Sequence, residues 1–263
     1  MTDRLHWESV SNARTPMLMV HGFLSSRAQW LRNVETLSGV CRPVLAELWG
    51  HGRSPAPTSP GAYLPDAYVA QFEAIRNALG VKRWFVCGQS LGASLTMRYV
   101  LTHPDRVIAH VFTNSSSLLA NAELLAQRSI EAKASIANIK RDGMAAVEAY
   151  RVHPAKARRL PGDVYDALVA DAKQIKPDAI IRFLEHTNLH ASLRDRVHQS
   201  TCPSLLAVGK YEKRFAPLRA FAEATIPRLE VLELEAGHAS NAEAWFAFNE
   251  GVSDFILRHS PDA

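Results

Sequence analysis

Residues 84–101 constrain this chain more than any other stretch. The apolar run Trp84-Phe85-Val86-Cys87 has the length of a buried strand and leads straight into Gly88-Gln89-Ser90-Leu91-Gly92, after which Ala93 to Leu101 reads as a helix. A strand that turns into a helix this abruptly strains its central residue. It closes only where the positions two before and two after carry almost no side chain, and both are glycine here. The serine at the apex would present its hydroxyl above a sheet edge, at a helix N-terminus whose N–H groups and dipole favour a developing oxyanion. That is the geometry of a nucleophile elbow. A five-residue pattern alone also suits a plain glycine-lined helix cap, so its neighbours decide.

Upstream, Pro16-Met17-Leu18-Met19-Val20 is a near-continuous apolar run that enters His21-Gly22-Phe23-Leu24-Ser25-Ser26, with Trp30 following on a helical stretch. Pro43 to Leu48 leads into the glycine-rich turn Trp49-Gly50-His51-Gly52-Arg53-Ser54. Downstream, Pro203 to Val208 ends at Gly209-Lys210-Tyr211-Glu212, and Leu229 to Leu234 alternates as a half-exposed strand before Gly237-His238.

Taken together, HGF with a following tryptophan, G-H-G-x-S, G-x-S-x-G, an acid three residues after a strand-ending glycine, and a late G-H resemble the α/β-hydrolase family over nearly the whole chain. The resemblance implies an α/β fold with a mostly parallel central sheet flanked by helices and an inserted helical cap. It also implies a serine, acid and histidine triad in that chain order. Carried over by position, Ser90 is the nucleophile, His238 the general base and Glu212 the orienting acid, with the backbone N–H groups of Phe23 and Leu91 as oxyanion hole. The family usually has Asp where Glu212 stands, so the longer side chain requires its loop to sit back from His238. It also often opens the G-H-G-x-S turn with Asp and Pro, where this chain has Glu47 and Trp49, which implies altered packing near the pocket. Glu233, Glu235 and Glu123 are the competing acids. His21 and His51 are expected to support the loops through hydrogen bonds.

The chemistry explains why three residue types are needed. A serine hydroxyl is a weak nucleophile until an imidazole takes its proton, and the imidazole needs a carboxylate to fix its tautomer and stabilise its cation.

The 263 residues, 47% of them apolar, suffice for one catalytic domain with an insertion. The expected division is a core of residues 1–115 and 199–263 and a helical cap of residues 116–198. Within the cap, Asn121 to Lys140, Asp142 to Arg151, Val164 to Lys173 and Ala179 to His186 show helical spacing, broken at Pro154, Pro161-Gly162 and Pro177. Leu118, Leu119, Leu124, Leu125, Ile130, Ile136, Ile139, Phe183 and Leu184 read mostly as core, with a few facing a pocket. Arg151, His153, Lys156, Arg158 and Arg159 form a basic cluster that reads first as a solvated helix end, with reception of an anionic substrate as the alternative. His186, His190 and His198 do not have the spacing of a metal set, and neither cofactor nor metal is expected.

No apolar stretch is long enough for a membrane span and no leader pattern opens the chain, so a cytoplasmic protein is expected. Cys41, Cys87 and Cys202 read as buried free thiols in a reducing compartment. The net charge of +4 is spread among acids without an aromatic-basic module, so nucleic acid is not an expected partner; a small-molecule acyl substrate is.

The function these features imply is hydrolysis of a small or medium carboxylic ester, lactone or thioester through an acyl-enzyme on Ser90. The resemblance also covers C–C bond hydrolases and a lyase, the menaquinone-pathway synthase, suggested by the HGFL opening and Glu212-Lys213-Arg214-Phe215. That synthase is expected to carry an arginine shortly after the serine, where this chain has Ala93-Ser94, which ranks the lyase below hydrolysis. A non-catalytic small-molecule receptor on the same scaffold is the reading from another class.

Overall fold

The computed structural model describes residues 3–260. Its strands are β1 (Trp7–Ser9), β2 (Pro16–Val20), β3 (Arg42–Ala46), β4 (Trp84–Gly88), β5 (Val107–Thr113), β6 (Ser204–Gly209) and β7 (Leu229–Leu234). They form one sheet in the order β1-β3-β2-β4-β5-β6-β7, in which only the β1·β3 pair is antiparallel. The central strands are buried at every residue, as parallel strands covered on both faces must be. Alternate side chains feed two cores. Met17, Met19, Phe85 and Cys87 join Trp30, Phe248 and Phe255 on one face, whereas Leu18, Val20, Trp84 and Val86 join Phe72, Tyr99 and Leu95 on the other. The first face is covered by α1 (Leu31–Leu37) and the C-terminal helix (Trp245–His259), the second chiefly by α2 (Pro65–Ala78) and α3 (Leu91–Thr102). The thiols of Cys41, Cys87 and Cys202 are free and buried, and burial holds each above its ordinary pKa.

Between β5 and β6 the described chain contains helices and turns and no strand: α4 (Ala122–Asp142), α5 (Met144–Glu148), α6 (Gly162–Ala172), α7 (Pro177–Arg182) and one π-helical turn, Phe183–Thr187. The Asn121 side chain caps α4 by accepting from Leu124 N–H at 3.0 Å, and Gly143, at φ 58°, ends it. Leu118, Leu119 and Ile139 are core, but Ile130 is 71% exposed. Helical periodicity therefore located α4 without fixing which residues of its apolar set point inward. The expected core of residues 1–115 and 199–263 includes residues 1–2 and 261–263, which lie outside the described residues. Among the described residues no helix is long and apolar enough to cross a membrane.

Candidate active site

Ser90 sits at the junction of β4 and α3 with φ 53° and ψ −112°, a left-handed conformation that costs energy for a residue with a β-carbon. The strain is held from both sides. A β-carbon on Gly88 would lie within 3.0 Å of Gly92 O, Thr96 Oγ1 and Ala93 N, and one on Gly92 within 3.0 Å of the carbonyls of Val20 and His21. The turn closes because both positions lack one. Ser90 N–H donates to Thr113 Oγ1 at 3.2 Å, which ties the apex to the end of β5.

His238 follows β7 and Glu212 follows β6, and the fold brings both to Ser90. Ser90 Oγ lies 2.9 Å from His238 Nε2, and the two Glu212 oxygens lie 2.9 and 3.0 Å from Nδ1. A carboxylate can only accept, so Nδ1 carries the hydrogen and Nε2 is left to accept from the serine hydroxyl. The extra methylene of glutamate is thus accommodated with a full hydrogen bond. Asn114, just past β5, donates to Glu212 Oε2 at 2.6 Å and accepts from Gly209 N–H at 3.0 Å, so one amide fixes both the acid and its loop. Burial alone would raise the Glu212 pKa, but the bonds from His238 and Asn114 and the charge of Arg151 hold it below its ordinary value.

Burial likewise opposes a charged His238. The hydrogen bond and charge of Glu212, with the charge of Glu243, outweigh it and hold the imidazole above its ordinary value. The ring is deeply set yet 39% exposed along its side chain, so the shift is that of a group facing the open space beside Ser90. Glu243 also accepts from Gly237 N–H at 2.7 Å and Ala239 N–H at 3.2 Å, clasping the residues on either side of His238.

The two glycine-rich loops are stapled by a pair of buried histidines. His21 Nδ1–H donates to Gly22 O at 2.7 Å while Nε2 accepts from Leu48 N–H at 3.1 Å. His51 Nδ1–H donates to Trp49 O at 2.9 Å while Nε2 accepts from Leu24 N–H at 3.2 Å. Burial pushes His21 down to about 3, helped by the charge of His51, and His51 itself down to about 4. Both rings are therefore neutral staples at neutral pH. Between them Leu24 is held at φ 56°, a second strained residue beside the site. The Phe23 and Leu91 amide N–H groups donate to no described residue, which leaves both available at the mouth of the elbow. Glu47 and Trp49 lie outside the cavity wall: the Glu47 carboxylate accepts from Arg53 N–H at 2.9 Å inside the G-H-G turn, and Trp49 Nε1–H donates to Ala62 O at 2.9 Å.

Ser90 and His238 open into a cavity of about 900 Å³. Its other wall comes from the segment between β5 and β6, including Arg128, Ala132, Ser135, Tyr150, Leu168, Phe183 and Leu184. Phe23 stacks on Phe183 with ring centroids 4.7 Å apart and meets Tyr150 edge-on at 5.5 Å, so an aromatic contact joins the HGF loop to the segment between β5 and β6. Arg151, His153, Lys156, Arg158 and Arg159 all border this cavity. Glu233 and Glu235 do not: the first pairs with Arg219 and the second with Lys210. Glu123 is exposed in the first turn of α4. Among the described residues no group of histidine, cysteine and acidic side chains has the arrangement of a metal site.

The contributions of Thr113, Asn114, Glu243 and Arg128 were not read from the sequence. Thr113-Asn114 did carry a signal, since polar residues at the C-terminal end of an otherwise apolar parallel strand sit where such sheets place their sites. Arg128 lies on a long helix and Glu243 at the end of a four-residue helical turn, and neither gave a signal.

A family model described as the alpha/beta hydrolase fold matches residues 15–133. A putative 2-succinyl-6-hydroxy-2,4-cyclohexadiene-1-carboxylate synthase of Bacillus subtilis (strain 168) is 25% identical over 93% of this chain and 91% of its own length. A (lyso)-N-acylphosphatidylethanolamine lipase of Mus musculus is 38% identical over 36% of this chain, a match that spans only 28% of the lipase. Among solved structures, the enol-lactonase from Burkholderia xenovorans LB400 superposes with a TM-score of 0.78 at 22% identity, covering 96% of each chain. The chain has the α/β-hydrolase fold.

Proposed function

We propose that this protein is a serine hydrolase that cleaves a small or medium carboxylic ester, lactone or thioester through an acyl-enzyme. The observation that supports it most is the unbroken row of hydrogen bonds from Ser90 Oγ through His238 to Glu212, opening on a cavity. In this reading His238 Nε2 takes the hydroxyl proton as the Ser90 Oγ–carbon bond forms. The carbonyl electrons move onto oxygen, which the N–H groups of Phe23 and Leu91 receive; loss of one such donor typically costs about 3 kcal/mol of barrier. The tetrahedral species collapses, the bond to the leaving alkoxide or thiolate breaks, and His238 returns the proton to that group. Water then repeats the sequence on the acyl-enzyme, releasing the acid and regenerating Ser90. Residues 116–198 act as a cap that excludes water and shapes the pocket, carried over the serine by the Phe23, Tyr150 and Phe183 contact.

A fluorophosphonate probe should label Ser90 in the wild type and fail to label Ser90→Ala, and p-nitrophenyl esters should be cleaved with a defined chain-length optimum. Neither labelling nor turnover would leave the receptor reading. A lyase reading has one specific support, the match over most of the length of the Bacillus synthase. Against it, Ala93 and Ser94 occupy fully buried positions on α3 and put no cation near Ser90. Formation of the cyclohexadiene carboxylate for which that relative is named, without ester turnover, would favour the lyase.

A further inference from the structure

The helical wall of the cavity holds a cation with no anionic partner among the described residues. Arg128 projects from α4 into the cavity, and its Nη2 donates to Ser116 Oγ at 2.7 Å, which fixes the guanidinium plane against the segment leaving β5. Its Nη1 is buried and has no hydrogen-bond partner among the described residues. The carboxylate one turn along, Glu131, accepts instead from Gln127 Nε2 at 2.8 Å. Burial pulls Arg128 below the ordinary arginine value, with the Glu131 charge working against that, yet a guanidinium stays protonated at neutral pH. A buried charge with an unused donor is costly unless something completes it. Arg128, Ala132 and Ser135, spaced at i, i+4 and i+7, lie on one stripe of α4, and all three line the cavity. Near the far end of that stripe the Tyr150 hydroxyl is buried beside Ser135.

We propose that Arg128 binds a free carboxylate at the far end of the acyl group, so that the substrates this site prefers are half-esters or carboxy-substituted lactones of short dicarboxylic acids. This rests on the hydrolase reading of Ser90. A guanidinium pairs two carboxylate oxygens in one plane, and Arg128 lines the cavity from its helical side. The phosphates of an acyl-coenzyme A would sit instead at the mouth, where Arg158, Arg159 and Lys213 are exposed.

The test compares methyl half-esters of glutaric and adipic acid with methyl esters of the monocarboxylic acids of equal length, and with acetyl-coenzyme A, in wild type, Arg128→Met and Arg128→Lys. The wild type should prefer half-esters by about tenfold to a hundredfold in kcat/KM, a charge-assisted hydrogen bond's effect. Arg128→Met should erase that preference while its rate on neutral esters stays within about threefold, and Arg128→Lys should restore part of it. No preference in a wild type that labels with fluorophosphonate and cleaves neutral esters would overturn the carboxylate subsite and leave the hydrolase reading standing. A preference that survives Arg128→Met, or one for acetyl-coenzyme A alone, would also overturn it by moving anion recognition to the mouth. If no ester is cleaved, titration calorimetry with adipate decides: binding by wild type lost in Arg128→Met sustains the subsite on a non-hydrolytic protein, and no binding by wild type overturns it.

Discussion

The sheet side and the helical side of the cavity are built on opposite principles. On the sheet side, Ser90, His238 and Glu212 stand beyond strand ends, and each loop around them is fixed by a polar partner: Thr113 for the elbow, Asn114 for the acid loop, the half-buried Glu243 for the histidine loop, and His21 and His51 for the HGF loop. On the helical side the wall is an aromatic contact, an arginine whose Nη1 has no partner among the described residues, and a row of exposed cations. Chemistry needs positions fixed to a fraction of an ångström, which satisfied hydrogen bonds to a rigid sheet supply. Selection of a substrate needs shape and charge, which an inserted helical layer can change without disturbing the sheet. Substitutions on the sheet side should therefore abolish turnover, and those on the helical side should redirect it.

The largest expected effect breaks the sheet side outright. Ser90→Ala or His238→Ala should each lower kcat by about five to six orders of magnitude, with the double variant little worse than either single one, because the two groups act in the same step. Single-turnover kinetics would read this. Multiplying losses in the double variant would mean that the hydrogen-bonded pair does not share a step.

Next comes the acid. Glu212→Gln keeps the shape and removes the charge, and should lower kcat by about a thousandfold to ten-thousandfold. Its pH signature is more telling. Glu212 is the chief reason the pKa of His238 is raised, and the base form needed to accept a proton appears only above that value. The acid limb of kcat/KM should therefore lie above the ordinary histidine value in the wild type and move to lower pH in Glu212→Gln. An unmoved limb would show that another group titrates there.

The same contrast explains what the sequence made legible. Gly88 and Gly92 could be read because only residues without a β-carbon fit between Ser90 and the neighbouring carbonyls, so the chemistry leaves a local signature. Ser90 and Glu212 follow strands whose apolar runs fix their place, and His238 follows one marked by its alternation. Arg128 offers no such signature: on a long helix between Gln127 and Ser129 it looks like any solvated charge, and only the docking of α4 against Ser116 puts it in the cavity. The basic segment from Arg151 to Arg159 shows a third case. It is largely solvated and also borders the cavity, so the two readings open at the level of sequence are compatible.

A moderate effect should appear in stability. Burial pushes His21 and His110 down to about 3 and His51 to about 4, far below the value near 6.5 that each regains on unfolding. Between these limits the unfolded chain holds up to three protons that the folded protein lacks, so stability must fall as pH falls. One proton changes stability by about 1.4 kcal/mol per pH unit, which bounds the combined slope at about 4 kcal/mol per pH unit between pH 6 and 4. Urea midpoints across that window would read it. His51→Gln should flatten the slope by about a third while loosening the loop at Leu24, linking acid sensitivity to the sheet side.

The smallest effect probes the helical side at its rim. Arg158 and Arg159 are exposed at the cavity edge, and Arg159 stacks over the Tyr211 ring at 4.6 Å. Charges so placed act on a substrate through water, screened over a Debye length of about 8 Å at physiological salt, and they change encounter more than the bound complex. Reversing both to Glu should raise KM for a half-ester or an acyl-coenzyme A by about threefold to tenfold at low salt, with the change fading as salt rises. Neutral esters should be unaffected, and kcat should not move for either class. The wild-type preference for half-esters over neutral esters at high salt should survive in this variant, because Arg128 lines the cavity wall and its contact is direct. If the reversal instead removed that preference at every salt concentration, selection would reside in the rim, and the guanidinium on α4 would be a structural group with no part in choosing the substrate.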